Sequence, residues 1–455
     1  MIRALFSCLA VLTVGGPLAS LPVQVGAGTY GLQGRPFSKA YLLMSPDAQG
    51  SMPRLLSQTG AFQDTRALRP SPNLIPYDIN FAFWSDGAAK ARWISVPGET
   101  ASTLSRIEFE TNGEWRFPAG TVFVKHFELA TDETRPEVKR RLETRLLVRD
   151  RLGGVYGVTY KWRGDNSDAD LLSTNLTEAI LMKTLEGTRT QTWYYPSRQD
   201  CLACHTERNG GVLGIKTRQL NCEFTFPNGV RDNELRAWNH IGLFSPPIQE
   251  QGIPTLPRLA SPDDTDFSLE DRVRSYLDAN CSHCHRPGGT VCFFDARYDT
   301  PLTRQELIEG PVLFDQGLDH ARVIVPNDPW RSIALLRIQT LEGEKMPPLA
   351  HNVIDRQGEE LLRKWILSLA GRKVLPPPKL EPAAGRYASA VEVRLTDEVS
   401  DATIHFTLDG SVPTSTDPIY AGPFKLTTPT TVRAKAFKPG FTRSITAQQT
   451  YRVGE

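Results

Sequence analysis

The chain has 455 residues and carries 52 Lys and Arg against 51 Asp and Glu, a formal net charge of +1. This length suits about three domains of roughly 150 residues each. With 40% hydrophobic residues, each domain can bury a core. The basic residues are spread evenly, so the sequence offers no basic stripe for nucleic acid and no charge asymmetry for a membrane surface. We therefore expect no nucleic-acid partner.

The first residues have the pattern of a signal peptide. Arg3 precedes an apolar run over residues 4–14, which Gly15-Gly16-Pro17 ends. This run is too short to span a bilayer, and small residues suitable for cleavage follow within 19–27. The sequence predicts a signal peptide over residues 1–27, with a retained membrane anchor as the alternative. We expect a periplasmic or extracellular protein with no integral membrane segment after cleavage.

Residues 28–260 have a β-rich texture from about residue 76 onward. Apolar and polar residues alternate with period two in segments such as 91–96, 121–129, 142–149 and 155–162, separated by Gly and Asn turns. This pattern predicts an antiparallel sheet of five or six strands.

A Cys-x-x-Cys-His motif, Cys201-Leu-Ala-Cys204-His205, follows the predicted sheet. In c-type haem attachment the two thiols bond the two haem vinyl groups, and the adjacent His binds the iron. A simple disulfide or a zinc site is the alternative reading of these thiols. The sequence does not rank the candidate sixth ligands, Met182, His126 and His240.

A second such motif, Cys281-Ser-His-Cys284-His285, predicts a second covalent haem c. Zinc would need a further nearby Cys pair, and a redox thiol pair would need a thioredoxin-like context; the sequence offers neither. About 60 residues further on stands Met346-Pro-Pro. Met is a common second axial ligand that raises the haem potential, so Met346 is predicted as the sixth ligand, with His351 as its rival.

The second motif lies between two predicted helices. Residues 267–279 have a helical period after Ser268 or Asp266 as N-cap, and residues 355–369 repeat that period. Over about residues 264–372 the chain resembles the class I cytochrome c family, in its bacterial branch. The resemblance rests on the order helix, motif, Met loop and closing helix. The resemblance implies an all-α domain there.

The N-terminal domain carries a second resemblance. The segment Phe117-Pro-Ala-Gly-Thr-Val-Phe-Val-Lys125, followed by the first haem motif, looks like the lysine-cross-linked hydroxylamine-oxidising cytochromes and the related β-sheet cytochromes c-prime. By that resemblance Lys125 would bond the edge of the haem held by Cys201 and Cys204. Strand alternation places Lys125 between Phe123 and Phe127 on one face. The plainer alternative is a surface lysine whose stem covers apolar residues.

A Pro-rich linker at residues 373–378 precedes the C-terminal segment, 379–455. Its Thr407-Leu-Asp-Gly-Ser-Val-Pro-Thr414 and Tyr420-Ala-Gly-Pro423 resemble the small C-terminal β-sandwich of chitobiase-like glycosidases, which implies an immunoglobulin-like sandwich. No carboxylate pair at catalytic spacing is evident, so we expect an accessory module that contacts carbohydrate, with His405 an ordinary strand residue.

Cys222 and Cys292 remain after the haem thiols, and in an oxidising compartment they are expected to pair; two buried free thiols are the alternative. The sequence as a whole resembles a family of bacterial exported di-haem c-type cytochromes and predicts an electron carrier that serves a redox partner protein. The alternatives are a haem oxidoreductase acting on hydroxylamine, nitric oxide or peroxide, and a carbohydrate-surface binding protein. An electron carrier is favoured over an enzyme.

Overall fold

The computed structural model describes residues 29–454. The expected signal peptide, residues 1–27, lies outside the described residues. Within the described part of the chain, no helix is both long enough and apolar enough to cross a membrane.

The N-terminal region is built from short strands, two long hairpins and three small helices. In chain order these are β1 Phe62–Asp64, β2 Arg69–Pro70, β3 Ile75–Tyr77, β4 Ala89–Ser95, β5 Ile107–Glu108, β6 Val122–Ala130, β7 Lys139–Arg149, β8 Val155–Trp162, β9 Ala169–Leu171, β10 Leu176–Thr184, β11 Gly187–Tyr195, α1 Arg198–Cys204, α2 Thr217–Leu220, β12 Glu223–Thr225, β13 Arg231–Asn233, α3 Glu234–His240 and β14 Phe244–Ser245.

Six of these strands form one antiparallel sheet in the order β3-β4-β6-β7-β8-β9, which confirms the predicted sheet. Alternating side chains serve its two faces. Val122 and Val124 of β6 enter one hydrophobic core, and Phe123 enters another with Trp115 and Trp238. The sheet therefore lies between two hydrophobic cores. The face that carries Phe123 and Lys125 points toward the segment after β11.

The expectation of an all-α class I cytochrome c domain in the middle region is wrong. Residues 264–372 contain three helices of 12, 7 and 13 residues, α4 Leu269–Asn280, α5 Ile333–Gln339 and α6 Arg356–Ser368. A 3-10 helix at Leu302–Arg304, turns, bends and isolated bridges make up the rest. Over residues 29–454 strands account for 29% of residues and helices for only 15%, so the described part of the molecule is predominantly β.

Proline and left-handed backbone explain why the segments between these helices are not helical. Pro residues at positions 311, 326, 329, 347 and 348 lack the N–H that a continuing helix needs. Residues such as Glu306, His320 and Ala350 adopt positive φ, which ends regular helix. The two predicted helices are present as α4, with Ser268 as the capping residue that accepts from the Asp271 N–H, and as α6.

The C-terminal region is a two-sheet β structure, as expected. Its strands are β15 Lys379–Glu381, β16 Gly385–Tyr387, β17 Val391–Thr396, β18 Thr403–Thr407, β19 Phe424–Leu426, β20 Thr430–Phe437 and β21 Ala447–Val453. They form a sheet of order β15-β17-β19 and one of order β16-β21-β20-β18. Alternating residues such as Val391, Val393 and Leu395 fill the core.

Candidate functional site

Helix α1 presents the first Cys-x-x-Cys-His motif against the six-stranded sheet. Ser197 caps the helix, because its side chain accepts a hydrogen bond from the Asp200 N–H. In return, the Asp200 carboxylate accepts a hydrogen bond from the Ser197 N–H. Cys201 and Cys204 then lie about one turn apart on the same face. At β8, a Cβ added to Gly157 would stand 2.7 Å from the Cys201 Sγ, so only glycine lets the helix approach this closely.

A cavity of about 200 Å³ opens between this motif and the sheet. Its lining includes Cys201, Cys204, His205, Lys125 and Arg145. The opposite wall comes from the middle region, through Asn280, His283 and residues 347–350. The first motif therefore faces a cavity that two regions of the chain build together.

His205 has the ring orientation that iron ligation needs. Its Nδ1 lies 2.9 Å from the Gly211 carbonyl oxygen and donates to it. With the proton on Nδ1, the other ring nitrogen is unprotonated and free to bind a metal. Burial lowers the pKa of His205 to about 4, which keeps the imidazole neutral, the form that ligates iron.

Cationic side chains cross the sheet beneath the cavity. Arg92 of β4, Lys125 of β6 and Arg145 of β7 are direct cross-strand neighbours. Arg92 pairs with Asp78 and Arg145 donates to Glu143 at 2.5 Å. Two members of the row are thus neutralised by carboxylates.

Lys125 occupies an unusual place for an amine. Its Nζ lies 5.3 Å from the ring centre of Phe83 and 5.2 Å from that of Phe127. Burial first, and then the positive charges of Arg92 and Lys90, lower its pKa well below the ordinary lysine value. A lysine amine that loses its proton is a nucleophile. The alternation predicted from the sequence, with Phe123, Lys125 and Phe127 on one face, is confirmed.

The three candidate sixth ligands named from the sequence lie elsewhere. His126 points to the other face of β6, where its Nδ1 is 2.8 Å from the Thr144 hydroxyl. His240 stacks on Tyr30 with ring centres 3.6 Å apart. Met182 is packed in a separate core with Trp193. None of the three lines the first cavity.

The second motif faces a cavity of its own, of about 180 Å³. Cys281 and His285 line it together with Met346, so the structure brings the predicted sixth ligand to the predicted proximal histidine. The rival His351 is buried away from this cavity, with its Nε2 3.1 Å from the Thr340 carbonyl. The His285 ring stacks on Phe294 at 4.4 Å between centres.

The two leftover cysteines are not joined, so the expected bridge between Cys222 and Cys292 is not found. The Cys222 thiol lies 3.4 Å from Glu234 in the N-terminal region. The Cys292 thiol lies 3.3 Å from the Phe294 carbonyl and lines the second cavity. Sequence counting could not place them, because pairing depends on which loops meet in the folded chain.

A close contact between the two motifs was not foreseen. Ligand atoms of Cys204, His283 and Cys284 all lie within 4.8 Å of one another. The hydrogen bond with Cys284, together with burial, raises the pKa of the Cys204 thiol. No sequence signal locates this contact, because the motifs are separated by about 80 residues.

At the first cavity both motif thiols and His205 line the space, the donor set of a covalently held haem, whereas at the second cavity Cys281 and His285 line the space and Cys284 does not. Each cavity combines a motif His with at least one motif thiol and a largely apolar lining. Around the second cavity Val291, Phe293, Leu313 and Phe314 are exposed, and such a cluster of apolar side chains is costly unless something covers it. A zinc ion at Cys204, His283 and Cys284 would use none of Cys201, His205, Cys281 and His285. A metal ion at this cluster would therefore not account for the full donor set of either motif.

The comparisons with known proteins concern the C-terminal region. Residues 382–448 match the chitobiase/beta-hexosaminidase C-terminal domain family. Neither the search of curated proteins nor the search of solved structures returned a match to this chain. The family resemblance expected for the C-terminal sandwich is thereby confirmed.

Proposed function

We propose that this protein is an exported c-type cytochrome that carries two covalent haems and transfers electrons to a redox partner protein. The observation that supports it best is the pair of cavities, one at each Cys-x-x-Cys-His motif, with Met346 in the second. Cys201 and Cys204 would hold one haem with His205 on iron, and Cys281 and Cys284 the other with His285.

Met346 gives the second site the ligand set of an electron carrier. A six-coordinate His–Met iron has no open position for a substrate, and the thioether raises the potential. The haem supplies one-electron chemistry when it is bound. His285 and Met346 would bind the iron, and the apolar side chains around them would exclude water.

The test is the haem content of the full chain produced in a host that attaches haem c during export. Pyridine haemochrome absorbance, divided by protein concentration, should give two haems per chain. Peptide mass analysis should find haem on Cys201 with Cys204 and on Cys281 with Cys284. A chain that binds zinc or forms disulfides at these thiols, and carries no haem, would refute the proposal.

A second function, a haem oxidoreductase acting on a small nitrogen or oxygen species such as hydroxylamine, nitric oxide or peroxide, is favoured by Lys125. Its amine lines the first cavity beside two Phe rings, as the resemblance to lysine-cross-linked cytochromes implies. Met182, His126 and His240 do not line that cavity, so none is placed as a sixth ligand there. Carbon monoxide binding to the reduced protein would favour the enzyme, since it needs an open iron position. An unchanged spectrum under carbon monoxide would favour the carrier.

The C-terminal region supports an accessory role. The family that matches residues 382–448 is named for a C-terminal domain of carbohydrate-active enzymes, so we propose contact with a carbohydrate surface. Sedimentation of the full chain with insoluble polysaccharide, compared with a chain ending at the 373–378 linker, tests this. Equal sedimentation of the two chains would exclude the contact.

A further inference from the structure

The two motifs are joined by one side chain. The Asn209 amide nitrogen donates to the Cys204 carbonyl at 2.6 Å and to the His283 carbonyl at 2.9 Å. Asn209 is completely buried. One residue therefore bonds the backbone of both motifs, and it follows the first motif by only a few positions.

Two ion pairs fix the same interface. Lys216 lies 2.7 Å from Asp278 of α4, and both side chains are almost fully buried. Arg286, directly after the second motif, lies 2.8 Å from Glu114. Breaking a buried ion pair by removing one partner strongly destabilises a protein, because the remaining charge is left without a partner. The two motif segments are thus held at a fixed distance and orientation.

The loop after Met346 also connects the two cavities. Met346 lines the second cavity, and the next residues, 347–350, line the first. The first cavity further includes Asn280 and His283, which flank or belong to the second motif. The first site is therefore incomplete without residues from the segment that carries the second motif, whereas residues 277–362 alone line the second cavity.

We propose that the two motifs form a single di-haem centre, in which the thioether sulfurs at Cys204 and Cys284 are neighbours and Asn209 is the positioning residue. This inference rests on the proposed function, because it needs haem at both motifs. It goes further by assigning contact between the two groups. Two haems at separate positions in two independent domains would need no such shared side chain.

Circular dichroism in the Soret region tests the proposal, because two closely placed haems couple their transitions and give a band with two signs. The wild-type full chain with two haems should show this paired band. Asn209→Ala should retain both haems and lose most of the paired band. The matched control is Asn228→Ala, which removes the hydrogen bond from the Asn228 side-chain amide to the Gly31 carbonyl, outside both motifs. This variant should retain the band.

Each outcome separates the two proposals. A wild-type chain with two haems and a Soret band of one sign would overturn the di-haem centre and leave the proposed function standing. Fewer than two haems by haemochrome would overturn both. If Asn209→Ala fails to fold or to attach haem, the wild-type band alone decides the contact. A paired band that Asn209→Ala leaves unchanged would overturn the positioning role of Asn209.

Discussion

Lys125 combines burial, a lowered pKa and a place in the first cavity. Burial, and then the positive charges of Arg92 and Lys90, lower the pKa of Lys125 well below the ordinary lysine value, which favours the neutral amine. By the resemblance to the cross-linked cytochromes, such an amine would bond the edge of a haem held by Cys201 and Cys204. Lys125 is therefore the residue on which the choice between carrier and enzyme depends.

We predict that proteolysis will release the Lys125 peptide together with the haem bound to Cys201 and Cys204. Mass spectrometry of the haem-bearing peptides is the measurement. The peptide containing Lys90, a second buried lysine whose pKa burial lowers to about 7, is the internal control and should be released free. Recovery of the Lys125 peptide free and unmodified would remove the main support for an enzyme.

Met346 is the second residue whose role can be tested, as the predicted sixth iron ligand at the second motif. We predict that Met346→Ala abolishes the weak far-red charge-transfer band of the ferric His–Met haem and lowers the potential of that haem, because the thioether no longer binds iron. Optical titration measures both effects. Met52→Ala is the control, since Met52 packs in the N-terminal region and lines neither cavity. An unchanged band and potential in Met346→Ala would show that another group is the ligand.

At the scale of elements, the packing of α1 on β8 sets the first site. Gly157 is the point of closest approach, and a Cβ there would lie 2.7 Å from the Cys201 Sγ and 2.9 Å from its Cβ. Neither atom belongs to a long flexible side chain, so the helix would have to move. The position of the first motif thus depends on a strand residue more than 40 positions earlier.

We predict that Gly157→Ala destabilises the protein by about 1–3 kcal/mol, the usual cost of overpacking, and reduces haem attachment at Cys201 and Cys204. Urea unfolding and haem content per chain measure the two effects. Gly164→Ala is a matched control, because a Cβ at Gly164 would meet nothing within 4 Å. Equal stability of the two variants would mean that α1 adjusts without cost.

At the scale of the whole molecule, one carboxylate connects the middle region to the C-terminal sandwich. Asp319 lies 3.1 Å from Arg331 and 2.9 Å from Arg443, with Lys435 at 3.5 Å. Burial would raise the pKa of Asp319, but the hydrogen bond from Arg443 and the charges of Arg331 and Lys435 outweigh it and lower the pKa to about 2. The ionised carboxylate therefore stabilises the attachment of the sandwich.

The sign of the pH effect follows from that lowered pKa. The contribution of ionised Asp319 to the free energy of unfolding is complete above the unfolded-state pKa of about 4. It is lost as the pH falls toward 2. We predict that Asp319→Asn lowers stability at pH 7 by on the order of 1 kcal/mol, since such partly exposed pairs are individually weak. Thermal unfolding between pH 2 and 7, with proteolysis at the 373–378 linker, measures this. Asp266→Asn, at an exposed position, is the control, and equal pH profiles for the two variants would contradict the role of Asp319.

The sequence alone determined the features that depend on neighbours along the chain. The period of two in 121–129 and 142–149 predicted strands and their faces, because alternation follows from backbone geometry. Capping and the helical period predicted α4 and α6. Haem attachment at the two Cys-x-x-Cys-His motifs was predicted because two thiols and a histidine must have that local spacing for the attachment chemistry.

The tertiary structure decided what depends on contacts between distant segments. Strand register placed Arg92 and Arg145 beside Lys125, and docking of the two regions brought Cys204 to Cys284. The all-α expectation for 264–372 failed because a family resemblance in two helices and a motif says little about the intervening Pro-containing turns. Local chemistry is encoded over a few residues, whereas register and docking arise only when whole elements bury their apolar faces against one another.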